Sequence, residues 1–217
     1  MIRALLIDAA NTLIHKPDLW SRMHGVIVHH GYSVDAGKLK HAHKMLSEST
    51  LFPDRTDADF YRLFNTELLF AVGIIPHAEL LEDLFKACSY LPWKVFEDVE
   101  GLEKNQLPIS VLSNFNTGLA PLLKGLLAFE LAYVISSEEE QLRKPNVEFY
   151  HYALNKLGLQ GEEVLYIGDS LKLDIEPAQR LGIHAYLMDR DLFYPAFKNR
   201  IISFHEVPSL LHTLNAK

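Results

Sequence analysis

The run Leu5-Leu6-Ile7-Asp8-Ala9-Ala10-Asn11-Thr12-Leu13 decides how the chain is read. Ala4 to Ile7 are four apolar residues with no charge among them, as in a strand buried on both faces of a parallel sheet. Asp8 stands at the carboxyl end of that strand, and a loop of small residues follows at once. In open parallel sheets this edge is where ligands bind. A carboxylate there can attack an electrophile, bind a metal or cap a helix. For Asp8 alone the cap is the commoner use. The strands that follow reverse that order.

A chain of 217 residues, 48% of them apolar, can bury a substantial core as one large domain or as a domain with an insertion. The net charge of −7 argues against nucleic acid as a partner, which needs a basic footprint. It leaves room for a small anionic ligand held by a few local donors. Cys88 is the single cysteine, so no internal disulfide forms, and a reducing, cytoplasmic compartment is expected. No apolar run approaches the roughly 18 residues of a membrane span, so no membrane partner is expected. The N-terminus runs directly into the first strand, so no signal peptide is expected.

From about Pro17 to Tyr90 the pattern changes to helical spacing. Trp20, Met23 and Ile27, then Leu39, Ala42 and Leu46, then Phe60, Leu63, Phe64 and Leu68, then Leu80, Leu81, Leu84 and Phe85 each mark one apolar face. Gly31, Pro53, Gly73 and Pro76 punctuate them. This predicts an insertion of about four helices over residues 16–91, with residues 1–15 and 92–217 forming the other domain. Its histidines (His24, His29, His30, His41, His43) lack ligand spacing and are expected on solvated helix faces.

Beyond the insertion, strands are expected at Leu107–Leu112, Tyr133–Ser136, Val164–Ile167, His184–Met188 and Ile201–Phe204. Helices are expected at about Gly118–Leu127, Val147–Leu157, Asp174–Leu181 (closed by Gly182) and Pro208–Leu214. The alternation predicts an α/β fold with a doubly wound parallel sheet.

Three apolar strands end in polar groups, at Asp8, Ser113 and Asp169, and these converge if the strands lie parallel. Lys144, ahead of a helix, and the amide of Asn114 are further candidates. Two buried carboxylates repel each other unless a cation lies between them, and oxygen donors beside a phosphoryl group suit Mg²⁺. Ser113, Asn114 and Lys144 would hold phosphate oxygens. Asp8 would be the nucleophile, passing through an aspartyl phosphate that water hydrolyses. Each piece alone also reads as an ordinary turn, cap or surface lysine. Their occurrence in order at consecutive strand ends favours function.

The chain resembles the haloacid dehalogenase (HAD) superfamily of hydrolases. Its four motifs fall on Asp8-Ala9-Ala10-Asn11-Thr12-Leu13, on Val111-Leu112-Ser113-Asn114, on Arg143-Lys144-Pro145 with Tyr150, and on Gly168-Asp169-Ser170 with Asp174. Ser113-Asn114-Phe115-Asn116 and the helix after Lys144 look most like the rhythmically expressed gene 2-like branch. The resemblance implies a Rossmann-like core with an α-helical cap inserted after the first motif. It implies that Asp8, the Ala10 carbonyl, Asp169 and Asp174 are metal-side residues and that Thr12 orients Asp8 on the phosphate side. Lys144 binds phosphate and offsets the carboxylate charge.

The departure is Ala10. Family phosphatases carry there a second Asp that protonates the leaving group and then activates water, help typically worth about 10²–10⁴ in rate. A Mg²⁺-dependent phosphatase acting on a substrate with a good leaving group, such as an acyl or aryl phosphate, is the reading favoured. A phosphonatase-like enzyme also has Ala at this position, but needs a cap lysine in a motif that Lys38, Lys40 and Lys44 do not match. A 2-haloacid dehalogenase shares Ser113-Asn114, Lys144 and Tyr150, but lacks the Gly-Asp pair kept here at Gly168-Asp169. A non-catalytic phosphate or protein binder has no evident use for both nucleophile and metal carboxylates. Arg22, His24 and Arg55 are substrate-side candidates by chemistry alone.

Overall fold

A computed structural model describes residues 1–216. The chain divides into two compact units, one made of Met1–His15 with the chain from Val95 onward, the other of Lys16–Lys94. The return to the first unit thus falls at Val95 rather than at Pro92.

In the first unit, β1 is Ala4–Ile7, β2 is Ile109–Ser113, β3 is Tyr133–Ser136, β4 is Val164–Gly168, β5 is His184–Met188 and β6 is Arg200–Ile201. They form one sheet in the order β3-β2-β1-β4-β5-β6, with every pairing parallel. The chain builds the sheet outward from β1 on one side, then crosses back to the other side of β1 at β4. This is the dinucleotide-fold strand order, and ligands gather where the direction reverses. All four residues of β1 are fully buried, as an uninterrupted apolar strand between two neighbours should be. Helices α5 (Leu119–Leu126), α6 (Val147–Leu157), α7 (Glu176–Arg180) and α8 (Val207–Asn215) complete the alternation. Phe149, Tyr150, Ala153 and Leu154 of α6 pack with Leu6, Leu112 and Tyr166 of the sheet in one apolar cluster.

Three boundaries differ from expectation for local reasons. β2 starts at Ile109 because Pro108 has no N–H to give the ladder, although its carbonyl still accepts from Leu5 N at 3.0 Å. The helix expected at Asp174–Leu181 is a π-helical turn at Leu171–Ile175 followed by α7. β6 stops at Ile201 because Ser203 caps a short 3₁₀ turn, its hydroxyl accepting from His205 N.

The second unit holds the four expected helices, α1 (Leu19–His29), α2 (Ala36–Ser49), α3 (Ala58–Ala71) and α4 (Ala78–Cys88). Asp35 caps α2 and Asp57 caps α3, each accepting a backbone N–H at 2.8 Å. Met23, Ile27, Leu39, Phe64, Leu68, Leu80 and Leu84 form its core. The histidines are not all solvated. His24 Nε2 meets Val34 O at 3.0 Å and His30 Nε2 meets Asp83 Oδ2 at 3.0 Å. His43 lies half-buried edge-on to Trp20 and Phe64, and burial pushes its pKa down to about 4, so it packs as a neutral ring. Among the described residues, no helix is long and apolar enough to cross a membrane.

Candidate active site

Four segments place the expected residues at one sheet edge. Asp8 N donates to Ile167 O at 2.9 Å, so the ladder between β1 and β4 carries Asp8 to the edge. The chain then turns tightly: Ala9 O accepts from Leu13 N at 2.9 Å and Ile14 N at 3.0 Å. Asn11 takes a positive φ of 63°, a conformation that Asn tolerates better than most residues. The turn brings Thr12 back, and its hydroxyl donates to Asp8 Oδ2 at 3.1 Å. From β2, Ser113 Oγ donates to Asp8 Oδ1 at 3.1 Å. Thr12 and Ser113, expected on the phosphate side, therefore both hold Asp8 here.

Lys144 reaches the site from a loop. Asn114 fixes its backbone from both ends, with Lys144 N donating to Asn114 Oδ1 at 2.8 Å and Asn114 Nδ2 donating to Lys144 O at 2.9 Å. The Asn114 amide, expected to hold phosphate, makes this clamp with its oxygen and its Nδ2. The Lys144 ammonium lies 2.6 Å from Asp8 Oδ1 and 2.6 Å from Asp174 Oδ1. All three side chains are buried.

Asp174 owes its place to the π-turn. Ile175 N donates to Ser170 O across five residues, and the widened turn swings Asp174 back over β4. There its Oδ2 accepts from Ser170 N at 2.9 Å. Gly168 makes the room: a Cβ at that position would stand 2.4 Å from Asp174 Cγ. Gly168→Ala is therefore expected to lower the unfolding free energy by about 1–3 kcal/mol, the usual cost of overpacking, measurable by urea denaturation.

Tyr166, on β4, went unnoticed in the sequence. Its phenol donates to Asp174 Oδ1 at 2.7 Å and accepts from Lys144 Nζ at 3.3 Å. The one available signal was a lone hydroxyl inside the apolar run Val164-Leu165-Tyr166-Ile167. Tyr150 carries the same chemistry but turns away from Asp8, its hydroxyl donating to Leu173 O. Burial and the Asp174 charge push both phenols well above their ordinary pKa, so both remain donors.

Carboxylate oxygens of Asp8, Asp169 and Asp174 lie within 4.8 Å of one another. The Lys144 ammonium pairs with two of these carboxylates, Asp8 and Asp174. Burial, then Asp174 and Asp169, raise the Asp8 pKa to about 6 against the pull of Lys144. Burial pulls the Lys144 pKa down, but Asp174 and Asp8 outweigh it and keep the ammonium charged. A hard divalent cation is what such a set of clustered carboxylate oxygens accepts, so the residues present fit Mg²⁺. Ala10 is half-buried two residues past Asp8. Among the candidates by chemistry in the second unit, Arg22 and Arg55 are exposed and His24 is bonded to Val34.

The Haloacid dehalogenase-like hydrolase domain-containing protein 3 of Bos taurus is 32% identical over 152 residues, 67% of this chain and 60% of that protein. The chain thus spans less than two thirds of that relative's length. The Rhythmically expressed gene 2 protein of Drosophila melanogaster is 34% identical over 91 residues, 40% of this chain and 35% of its own. The Glyceraldehyde 3-phosphate phosphatase of Methanocaldococcus jannaschii is 50% identical over 50 residues, 23% of this chain and 22% of its own. Among solved structures, the magnesium-bound HAD-hydrolase YfnB from Bacillus subtilis shares the fold, with a TM-score of 0.65 at 19% identity over 97% of this chain and 98% of that one. Residues 2–182, from the first strand past the last of the four motifs, match the haloacid dehalogenase-like hydrolases as a family, and to that family of hydrolases the chain belongs.

Proposed function

We propose that this protein is a Mg²⁺-dependent phosphatase that works through an aspartyl phosphate on Asp8 and suits phosphates with good leaving groups. The observation that supports it most is the cluster of Asp8, Asp169 and Asp174, two of them buried and Asp169 half-buried, with the Lys144 ammonium against the two buried ones. The phosphatase among its relatives points the same way.

Asp8 presents Oδ1, on which Ser113 and Lys144 converge, to a phosphorus atom while Thr12 holds Oδ2. Attack forms the Asp8 O–P bond and breaks the bond from phosphorus to the leaving oxygen, which departs with its electron pair. Lys144 and Ser113 offset the charge that gathers on the transferring oxygens. Water then attacks phosphorus as the Asp8 O–P bond breaks, its protons leave on the inorganic phosphate or pass to solvent, and the Asp8 carboxylate is restored. Asp8, Asp169, Asp174 and the Ala10 carbonyl are the residues to hold Mg²⁺, which supplies charge neutralisation for the incoming phosphate. Ala10 has no proton to donate, so the leaving group has to depart unaided, as an acyl or aryl oxygen does. The helical unit, Lys16–Lys94, is the cap of this reading.

The test is hydrolysis of 4-nitrophenyl phosphate by the full chain. Turnover is expected with Mg²⁺, with loss on adding EDTA and recovery on restoring the metal. Turnover indifferent to EDTA, or none with any aryl or acyl phosphate, would overturn the reading.

A further inference from the structure

We propose that Arg190 is a positioning residue for Asp8, acting through the Asn11–Thr12 turn. Arg190 lies two residues past β5, outside all four motif segments. Its guanidinium lies over Phe96, 3.9 Å from the ring centroid. One edge grips Asp98, with Nη2 2.8 and 3.0 Å from the two carboxylate oxygens. The remaining donors turn to the loop after Asp8: Nη2 donates to Thr12 O at 3.0 Å and Nη1 points at Asn11 O at 3.4 Å. Asp98 is itself held by Phe204 N at 3.0 Å. The anchor is therefore tied to the C-terminal part of the core as well as to the loop.

The two carbonyls belong to the turn that carries Thr12 back to Asp8. Asn11 sits at φ 63°, a conformation that persists only where surroundings over-determine it. The next residue, Thr12, donates the hydroxyl that fixes Asp8 Oδ2. Holding the carbonyls of residues 11 and 12 thus sets where the Thr12 hydroxyl lies and which way Asp8 faces. Only a planar fork can meet a carboxylate on one edge and two carbonyls on another while stacked on a ring; an ammonium cannot.

The kinetic half of this proposal rests on the phosphatase reading, and the structural half does not. Native chain, Arg190→Lys and Arg190→Gln are to be compared by hydrogen exchange of backbone amides, by urea denaturation, and by kcat and KM for 4-nitrophenyl phosphate with Mg²⁺. In Arg190→Gln the amides of residues 11–14 are expected to exchange on the order of tenfold faster, while those of β1 and β4 keep their native rates. The kcat is expected to fall by on the order of tenfold with KM nearly unchanged, the pattern of a lost transition-state interaction. Arg190→Lys is expected to keep native denaturation yet fail to restore either readout. Unchanged exchange at residues 11–14, exchange raised equally through β1 and β4, or full rescue by lysine would each overturn the proposal. A native chain without turnover would sink the phosphatase reading alone, and the exchange rates would still decide the role of Arg190.

Discussion

Asp8→Asn is expected to lower kcat by on the order of 10⁴ or more and, without metal above pH 6, to raise the stability of the fold. The two effects share a cause. The carboxylate that would attack phosphorus is buried among like charges, and its pKa rises from 3.8 to about 6. A raised pKa means that the folded state favours the protonated acid. The stability this group contributes is therefore complete below pH 3.8 and lost as pH rises through about 6. Above that, the native chain carries an ionised carboxylate that folding disfavours. Asparagine keeps the size and the hydrogen-bond acceptor, and it removes the charge. Thermal unfolding of both chains at pH 5 and pH 8 in EDTA reads this directly: the curves should lie closer together at pH 5, and the variant should be the more stable at pH 8. A variant less stable than native at pH 8 would contradict the account.

Ala10→Asp is expected to raise turnover of alkyl phosphates by about 10²–10⁴, the usual worth of general acid–base help, and turnover of aryl phosphates far less. An alkoxide is a poor leaving group and needs a proton as its bond breaks; a nitrophenolate does not. Ala10 sits two residues beyond Asp8, partly open, in a turn whose hydrogen bonds run through Ala9, Asn11, Thr12 and Leu13. The substitution therefore leaves the bonds of the turn in place. Steady-state kinetics on an alkyl and an aryl phosphate separates the two cases. An equal gain on both substrates would mean that the carboxylate improves metal binding rather than proton transfer.

The core architecture was legible because strands buried on both faces leave a plain signature: Ala4–Ile7, Ile109–Leu112 (broken only by Ser110) and Val164–Ile167 are apolar runs that lead within two residues to Asp8, Ser113 and Asp169. The helical insertion was legible from its 3.6-residue period. What the sequence hid depends on where the chain turns back. The π-turn at Leu171–Ile175 has no periodicity to announce it, yet it carries Asp174, which packs against Gly168. Asn114 gives no sign that both ends of its amide bond to Lys144. Tyr166 reads as one more strand aromatic, because the lysine that meets its hydroxyl lies 22 residues away. Arg190 is further still, 178 residues from the carbonyl of Thr12 that it holds. Pairings at such separations are set by strand order, and strand order is not written in any one segment.

The covalent state of Asp8 during turnover tests the central claim most directly. The full chain, mixed with Mg²⁺ and an acyl phosphate, is quenched in acid, digested and weighed by mass spectrometry. The account predicts one added phosphoryl group on the peptide that carries Asp8, absent from Asp8→Asn and lost on treatment with hydroxylamine. Turnover with no phosphoryl group on that peptide, or with one on a different residue, would contradict it.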